Sequence, residues 1–426
     1  MNLRKIIGGS SVYLFSKSIV MIITFLSIPF FTHMMTPTEY GNFSLLITYS
    51  GILMPFFCIG VYLSIARASV EFRGEYKEYL QTMIVMCFFV ILPFFVLIMF
   101  TNYYWVEVSD TISIVLISTY ILFMSINSMV NSYYQYEKRI KFAALISGIR
   151  GVMVILVSMI FVKYATFDKS FARMSGVVIA EGLFFLYLLI NVFNKFQTKN
   201  IKRKYVKFAV AYSSPLIIGS LSYILNNQFD RLVIDFYFGS SEVGIYSFAY
   251  TIGMLPLTLA IAIRQGVNPY IYDLIEAGDY FTVRKISHLL SFLFFSICAL
   301  IIIFGNHVVA VVASEEFASS SSILSYIVLG AFIQMMILNE SEIQMYFKKT
   351  KVNSIIILLG CIINIVLNVI FVPLYGVSAA AISTVITYVV MFIISAQYNK
   401  SSISLKVHSY NLYAVLLIVM LALVVI

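Results

Sequence analysis

Charged side chains are scarce in this chain of 426 residues, since Asp, Glu, Lys and Arg together make up only 11% of it. Soluble globular proteins are about a quarter charged and about half apolar. Here 61% of the residues are hydrophobic and the mean hydropathy is +0.96. The shortage of charge excludes an ordinary soluble domain and indicates a polytopic membrane protein.

Residues that bind metals or form disulfide frameworks are also sparse. The four cysteines all lie within apolar runs, where they pack as small core residues. The four histidines show no metal-ligand spacing, and no constellation of His, Asp and Glu indicates group transfer. We therefore expect no metal, no cofactor and no enzymatic activity. We also expect no signal peptide, because the first apolar run, 11–33, is too long for the apolar core of one.

Long apolar runs recur along the whole chain. A helix that crosses the hydrocarbon needs about 20 predominantly apolar residues, so these runs predict an all-α fold. The sequence predicts twelve spans, at 11–33, 43–66, 80–100, 112–136, 142–164, 174–194, 210–237, 243–264, 286–313, 320–346, 352–373 and 376–398. A shorter last run, 410–426, is either a thirteenth span or an interfacial helix.

Lysine and arginine are distributed unevenly over the connections between these runs. If the N-terminus is cytoplasmic, 22 of the 28 lie in inward segments, which is the positive-inside pattern. The net charge of +9 is then a matter of topology, and no nucleic-acid partner is expected. The exception is the outward loop 163–173, which carries Lys163, Lys169 and Arg173.

Two weak sequence matches indicate an internal repeat. Glu39-x-Gly41-x-Phe43-Ser44 corresponds to Glu242-x-Gly244-x-Tyr246-Ser247, 203 residues later. A second set corresponds at an offset of 210, with Tyr136, Lys138, Arg139, Lys141, Phe161 and Val162 matching Tyr346, Lys348, Lys349, Lys351, Phe371 and Val372. Chance is the alternative explanation for both.

The repeat predicts two six-helix bundles related by a pseudo-two-fold axis along the membrane normal, a plan that places a transporter's substrate site between the halves. The predicted divisions are an N-terminal bundle at 1–195, a basic cytoplasmic linker at 196–209, a C-terminal bundle at 210–398 and a tail at 399–426. The repeated Glu-x-Gly falls at a tight outward turn in each half. Gly41 and Gly244 are expected to permit that turn, and the glutamates either cap the next helix or bind substrate.

The predicted span at 210–237 carries six polar residues, which is expensive unless they face a partner or a wet cavity. They are Asn226, Asn227, Gln228, Asp230, Arg231 and Asp235. Arg231 and Asp235 are four residues apart and can form a pair on one helix face. Two interpretations remain open: a self-satisfied polar seam, or a site for an ion or a headgroup. Asp230 and Asp235 are then candidates for ion coupling, and Arg231 is a candidate phosphate or sugar ligand.

Other intramembrane charges extend the candidate site. Lys17 and Arg150 lie near the cytoplasmic face and suit an anionic substrate such as a diphosphate, although Lys17 could instead snorkel. Glu181 is positioned to balance Arg150 and is a third candidate for ion coupling. Glu340 and Glu342 are expected to be solvated at the membrane edge, and Arg264 to be interfacial.

Three stretches together resemble the Wzx-type O-antigen and capsule repeat-unit flippases, in the polysaccharide transporter branch of the multidrug/oligosaccharidyl-lipid/polysaccharide exporter superfamily. They are SSVYLFSKSIVMIITFLSIPFFTHMMTPTEYGNFSLL, NNQFDRLVIDFYFGSSEVGIYSFAY and FVPLYGVSAAAISTVITY. The resemblance implies two six-helix bundles around a cationic cavity that includes Lys17 and Arg231. The chain departs from fuller relatives of that family because it has a single tail segment, 410–426, where they have a helical hairpin.

The resemblance also implies a function. An undecaprenyl-diphosphate-linked oligosaccharide would move from the cytoplasmic to the periplasmic leaflet of the bacterial inner membrane by alternating access. A proton or sodium gradient would drive it, with membrane lipids, a polysaccharide polymerase and a chain-length regulator as further candidate partners. A lipid II or teichoic-type flippase, or a drug exporter of the superfamily, is the nearest alternative. A membrane polysaccharide polymerase is less consistent with the sequence, because such enzymes have a large outward loop and this chain has none. A scaffold protein would not need the polar residues of 210–237.

Overall fold

The computed structural model describes residues 3–105, 111–193, 202–403 and 410–425, and every regular element in those ranges is a helix. The first eight helices are α1 Leu3–Met34, α2 Pro37–Phe57, α3 Ile65–Glu71, α4 Tyr76–Trp105, α5 Thr111–Tyr136, α6 Ile140–Tyr164, α7 Lys169–Phe193 and α8 Arg203–Phe238. The others are α9 Ser240–Gly253, α10 Leu255–Glu276, α11 Tyr280–Ile303, α12 Gly305–Val312, α13 Ser321–Tyr346, α14 Thr350–Tyr375, α15 Ser378–Tyr398 and α16 Tyr410–Val425. Short 3-10 turns precede α3 and α13, and a π-helical turn, Asn399–Ile403, follows α15.

Ten of the described helical segments are long and apolar enough to cross a membrane, or eleven if a bent pair counts as one span. This confirms an all-α polytopic membrane protein. The window predicted at 80–100 lies within α4, a helix of 30 residues. The last run forms α16, whose 16 residues extend about 24 Å, short of a hydrocarbon core of about 30 Å.

The span predicted at 43–66 is wrong as a single straight helix. It ends at Phe57, and the chain continues through a 3-10 turn into α3 with a bend of 67°. Ile59 and Gly60 both have positive φ at this break. Pro55, just before it, has no amide hydrogen for the helical ladder.

The chain divides into two compact units. Unit 1 comprises 1–35 and 42–224, and unit 2 comprises 36–41 and 225–426. Within unit 1, α6 packs against α1 and α7, and α5 packs against α4 and α7. Within unit 2, α13 is central and packs against α9, α10, α11, α15 and α16. The border between the units falls inside α8, whereas the sequence placed it at 196–209; the predicted bundle limits stay a prediction.

The second half of the predicted linker is helical from Arg203 onward. Lys204 and the Tyr205 hydroxyl, the latter at 2.5 Å, donate to the Glu75 carboxylate, and Lys202 donates to Glu78. These hydrogen bonds, that of Lys204 first, lower the pKa of Glu75 to about 2. The stability that Glu75 gains from these hydrogen bonds is therefore present above the ordinary glutamate pKa and is lost as the pH falls toward 2.

Two of the three basic residues in the predicted outward loop 163–173 make structural contacts, and both lie in the first turns of α7. Lys169 donates to the carbonyl of Met34 at the end of α1, where a cation interacts favourably with the helix dipole. The Arg173 guanidinium lies 3.7 Å from the Phe31 ring centroid and 4.0 Å from that of Phe43. These contacts account for basic residues in a loop where the positive-inside pattern predicts few.

The match at an offset of 210 forms the same turn twice. Lys138 and Lys348 have positive φ values of 64° and 58°. The next amide donates to a carbonyl five residues earlier in each turn, over 3.0 Å from Arg139 to Tyr134 and over 2.7 Å from Lys349 to Gln344. Lysine is unusual in this conformation, so its recurrence is what an internal repeat predicts.

Glu39 caps α2, as one of the two alternatives predicted. Its carboxylate accepts from the Thr36 amide at 2.9 Å, and the Glu39 amide donates to the Thr36 hydroxyl at 3.3 Å. This reciprocal arrangement is a capping box. Glu242 lies in the first turn of α9, where its charge complements the helix dipole.

Gly41 and Gly244 do not form the tight turn that the sequence predicted. Both lie within helices, and neither has a positive φ. They are instead where α2 and α9 approach most closely. A Cβ on Gly41 would lie 1.8 Å from the Ser240 carbonyl oxygen, and one on Gly244 would lie 1.9 Å from that of Pro37. Only glycine fits at both positions, because the obstacle is backbone.

Replacing Gly244 by alanine is expected to lower the free energy of unfolding by about 3 kcal/mol, at the upper end for overpacking, because the α2 backbone must move. Thermal unfolding in detergent measures the change. Gly219→Ala is the matched control: it is a helical glycine with no atom within 4 Å of an added Cβ, and is expected to be neutral or stabilising by about 0.5–1 kcal/mol. Equal effects of the two changes would contradict the crossing as the cause.

Candidate functional site

Unit 1 brings Arg150 and Glu181 together. Arg150 Nη1 of α6 lies 3.6 Å from Glu181 Oε2 of α7, the pairing that the sequence predicted. Asn127 of α5 donates from Nδ2 to Glu181 Oε2 at 2.5 Å and to the Glu181 carbonyl at 3.1 Å. The Glu181 side chain is 6% exposed and that of Arg150 is 27% exposed. The amide clamps the carboxylate, while the guanidinium keeps some access to its surroundings.

Lys17 of α1 lies near enough to Arg150 for the two positive charges to act on each other. Two glycines of α6 bring α1 close: a Cβ on Gly148 would lie 3.1 Å from Ser16 Cβ, and one on Gly151 would lie 2.8 Å from a methyl of Val20. These glycines were expected to leave space beside Arg150, and α1 fills that space.

The Lys17, Arg150 and Glu181 cluster carries one excess positive charge. Arg150 Nη1 is buried and has no hydrogen-bond acceptor in the part of the chain that the structure describes. Nη1 faces Glu181 at 3.6 Å, too far for a hydrogen bond, so this guanidinium beside an ammonium group can still hydrogen-bond an anionic oxygen, and its fork matches phosphate as well as carboxylate.

Unit 2 holds the polar residues of α8 in a different arrangement. Asp230 Oδ1 accepts from the Arg231 amide at 2.8 Å, and its Oδ2 accepts from the Tyr246 hydroxyl of α9. Arg231 donates from Nε to the Ser247 hydroxyl at 3.1 Å and from Nη1 to the Asn227 carbonyl at 3.0 Å. Both side chains are buried.

Arg231 does not pair with Asp235, which the spacing in the sequence had left as a possibility. Arg231 Nη1 lies 3.6 Å from Asp230 Oδ1 instead, so Asp230 does have a cationic partner. Helical side chains tilt toward the N-terminus of their helix, which carries this guanidinium back toward Asn227 and away from Asp235, one turn later. Asp235 is half-buried and has no ion pair in the described part of the chain.

Aromatic rings complete the surroundings of Arg231. Its guanidinium lies 4.5 Å from the ring centroid of Tyr250. The hydroxyls of Tyr250 and Tyr388 donate to Asn227 Oδ1 at 3.4 and 3.3 Å. Because Nε, Nη1 and the guanidinium face all contact residues of its own unit, Arg231 fits the polar-seam interpretation of α8 better than that of an open ligand.

Sequence reasoning missed a buried polar cluster at the other end of unit 2. Arg264 was expected at the interface and Glu342 in solvent, yet Arg264 is buried and donates to Glu342 and Asn339. Glu342 also accepts from Asn268 at 2.7 Å. The spacing could have revealed it, because Arg264 and Asn268, like Asn339 and Glu342, lie one turn apart on apolar helices.

The expectation that Glu340 is solvated is also wrong, since its relative exposure is 0%. α15 and α16 pack against α13 in this region and cover the carboxylate. The tail segment helps to bury Glu340. The sequence left the location of this segment open, so the burial of Glu340 could not be foreseen.

Comparison with known proteins adds to this geometry. Residues 6–275, more than half of the chain, match the family described as polysaccharide biosynthesis protein. An uncharacterised membrane protein of Methanocaldococcus jannaschii is 26% identical over 274 residues, covering 60% of this chain and 64% of that protein. The probable low-salt glycan biosynthesis flippase of Haloferax volcanii is 19% identical over 199 residues, covering 46% of this chain and 42% of that protein. Each match spans less than two thirds of the relative.

The solved structures similar to this chain are transporters. Lipid II flippase MurJ in an inward closed conformation has a TM-score of 0.78 at 16% identity, covering 97% of this chain and 91% of that one. A multidrug resistance MATE family transporter in its inward-facing conformation has a TM-score of 0.63 at 14% identity, covering 92% and 99%. A MATE family transporter in an outward-facing conformation has a TM-score of 0.61 at 15% identity, covering 93% of this chain and 95% of that one. At these identities the likeness establishes the fold.

The Arg150–Glu181 pair is expected to act as a unit. Arg150→Met should lower the free energy of unfolding by ~2 kcal/mol, less than the 3–5 kcal/mol for a fully buried pair because Arg150 is 27% exposed. Adding Glu181→Gln should restore most of it. A double-mutant cycle of unfolding in detergent measures the coupling. Lys163→Met, at an exposed lysine, is the control, and additive effects of the two changes would contradict the coupling.

Proposed function

Because the chain belongs to the polysaccharide biosynthesis protein family, we propose that it is a flippase for a lipid-linked oligosaccharide. The substrate is an undecaprenyl-diphosphate-linked O-antigen or capsule repeat unit, which passes from the cytoplasmic to the periplasmic leaflet of the bacterial inner membrane. Alternating access achieves this transfer, and no covalent bond is made or broken.

The observation that carries the proposal is the cationic cluster inside the apolar helices of unit 1. A diphosphate is the charged part of such a substrate and must be accommodated within the membrane. Lys17 supplies a compact positive charge, and Arg150 supplies a buried donor without an acceptor among the described residues. The ion pair with Glu181 and the clamp from Asn127 hold the guanidinium in position.

Arg231 has a smaller part in substrate binding under this proposal than its charge alone indicates. Its guanidinium is occupied by Asp230, Ser247 and Asn227. We retain it as a candidate ligand for a state in which those contacts exchange with a substrate oxygen. In the present arrangement it stabilises α8 against α9.

Orientation belongs to the proposal too. With the N-terminus in the cytoplasm, Lys169 and Arg173 are on the periplasmic side, where their contacts with Met34, Phe31 and Phe43 hold them. Lys17 and Arg150 are then toward the cytoplasm. Substrate would meet its positive charges on the side where it is synthesised.

Ion coupling, by a proton or sodium, is the remaining part. Of its candidates, Glu181 and Asp230 each have an arginine 3.6 Å away within their own unit. Asp235 has no ion pair in the described ranges, so it is the one of the three with most capacity for a cation. A polymerase and a chain-length regulator stay candidate partners.

Complementation of a strain deleted for its O-antigen flippase tests the function. The chain should restore surface polysaccharide, and Lys17→Ala and Arg150→Ala should each reduce it about tenfold or more, equivalent to about 1.4 kcal/mol of lost binding. Arg150→Lys should be intermediate, because lysine keeps the charge and loses the forked geometry.

Lys163→Ala is the matched control for removing a positive charge, since this lysine is exposed in the last turn of α6. Protein levels in the membrane are compared by immunoblot. Restored growth of a strain lacking its lipid II flippase, without restored O-antigen, would replace the proposed substrate with lipid II. Normal polysaccharide in the Lys17→Ala, Arg150→Ala double variant would refute the role of the cluster.

A further inference from the structure

Unit 2 contains a second carboxylate clamped by an asparagine, with the glutamate on the earlier helix and the asparagine after the later one, the reverse of the order in unit 1. Asn399, at the start of the π-helical turn after α15, donates from Nδ2 to Glu340 Oε2 at 2.7 Å and to the Glu340 carbonyl at 3.0 Å. Asn127 holds Glu181 by the same two bonds, at 2.5 and 3.1 Å. Each amide thus ties a side-chain oxygen and a backbone oxygen of one buried glutamate.

The two carboxylates differ in their charge balance. Glu181 faces Arg150 at 3.6 Å. Glu340 forms no ion pair with any residue in the described ranges; its other contact is the hydroxyl of Tyr410, 3.3 Å from Oε2. Glu340 Oε1 is buried and has no hydrogen-bond partner among the residues that the structure describes. Within those residues, one of the two clamps therefore holds a carboxylate that no positive charge neutralises.

Charged and titratable groups around Glu340 have other partners or are remote from it. Arg264 of α10 donates to Glu342 and Asn339. On α16, Tyr413 accepts from Asn339 at 2.7 Å, while Tyr410 donates to Glu340. On α11, the nearest charge acting on His288 is that of Arg284. Lys400, next to Asn399, is exposed.

The uncharged groups nearby offer oxygen rather than hydrogen. Asn399 Oδ1 is buried and has no hydrogen-bond partner in the described ranges, and the same is true of Gln344 Oε1, one turn after Glu340 on α13. A carboxylate with no cation in a site of this kind is strongly disfavoured. The site therefore requires a cation, and a proton is the one that needs no shell of ligands. When Oε1 takes a proton, both hydrogen bonds to Oε2 can persist.

We propose that Glu340 is a proton-binding site, occupied by a proton on Oε1 while α15 and α16 cover it as they do here. The proton comes from water and returns to water when the π-helical turn or α16 moves aside and admits solvent. Proton binding at Glu340 stands on its own, whereas its use to drive transport rests on the proposed flippase function.

Infrared difference spectroscopy of the purified full chain, titrated with acid and alkali in sodium-free buffer, tests the site. A protonated carboxyl has a C=O stretch that a carboxylate lacks. We expect wild type to show this band at neutral pH and to lose it at alkaline pH, with Glu340→Gln lacking the band throughout. Glu181→Gln is the matched control and should retain the wild-type band, because Arg150 already balances Glu181.

Glu340→Asp keeps a carboxyl and serves if the glutamine variant does not fold; its band should be present but shifted in frequency. A neutral-pH band that is unchanged in both Glu340 variants would overturn the proposal. So would a wild-type band abolished by sodium chloride at constant pH, because sodium would then be the bound cation.

Proteoliposomes with an imposed pH gradient test the use of the proton. Flipping of lipid-linked oligosaccharide should respond to the gradient in wild type and should lose at least tenfold of that response in Glu340→Gln. If wild type flips no such substrate, the proposed function fails, while the infrared assignment of Glu340 is unaffected. Flipping that is equally gradient-dependent in both proteins would refute the coupling.

Discussion

Arg150 and Glu181, 3.6 Å apart among apolar helices, represent the constraint that organises the interior of this protein. An isolated charge in hydrocarbon is costly, so each must have a counter-charge, a set of hydrogen bonds or access to water. Unit 1 meets this demand with an ion pair and an asparagine clamp. Unit 2 meets it by folding Arg231 onto Asp230 and by closing Arg264 against Glu342. Among the described residues, few charged groups lack a counter-charge or a hydrogen-bond partner, and these groups are the best candidates for functional roles.

The same constraint separates structural charges from functional ones. Arg231, the residue that stands out most in the sequence, is held by Asp230, Ser247 and Asn227 of its own unit. Arg150 is less conspicuous in the sequence, yet it retains a buried donor without an acceptor among the described residues. Glu340 is the converse, a buried carboxylate that forms no ion pair within the described part of the chain. Under the proposed function, a substrate anion suits Arg150 and a mobile cation suits Glu340.

Close helix packing gives these groups fixed positions. Gly148 and Gly151 let α1 approach α6, which brings Lys17 near Arg150. Gly41 and Gly244 allow backbone-to-backbone contact between α2 and α9, and α9 carries the Tyr246 and Ser247 that hold Asp230 and Arg231. Small residues at such crossings are a common means of association in membranes, where lipid tails offer no hydrophobic driving force between helices.

The sequence by itself determined the membrane class, the all-helical architecture and most helix positions, because length and apolarity are properties of each segment alone. It also identified Arg150 and Glu181 as partners, and the repeated turns at Lys138 and Lys348 came from a match at fixed spacing. Only the tertiary structure decided that Arg231 pairs with Asp230, that Gly41 meets α9 rather than turning the chain, and that Glu340 and Arg264 are buried. Each of these depends on which helix lies alongside and on the direction in which a side chain leaves its helix, and neither is recorded in a single segment's composition.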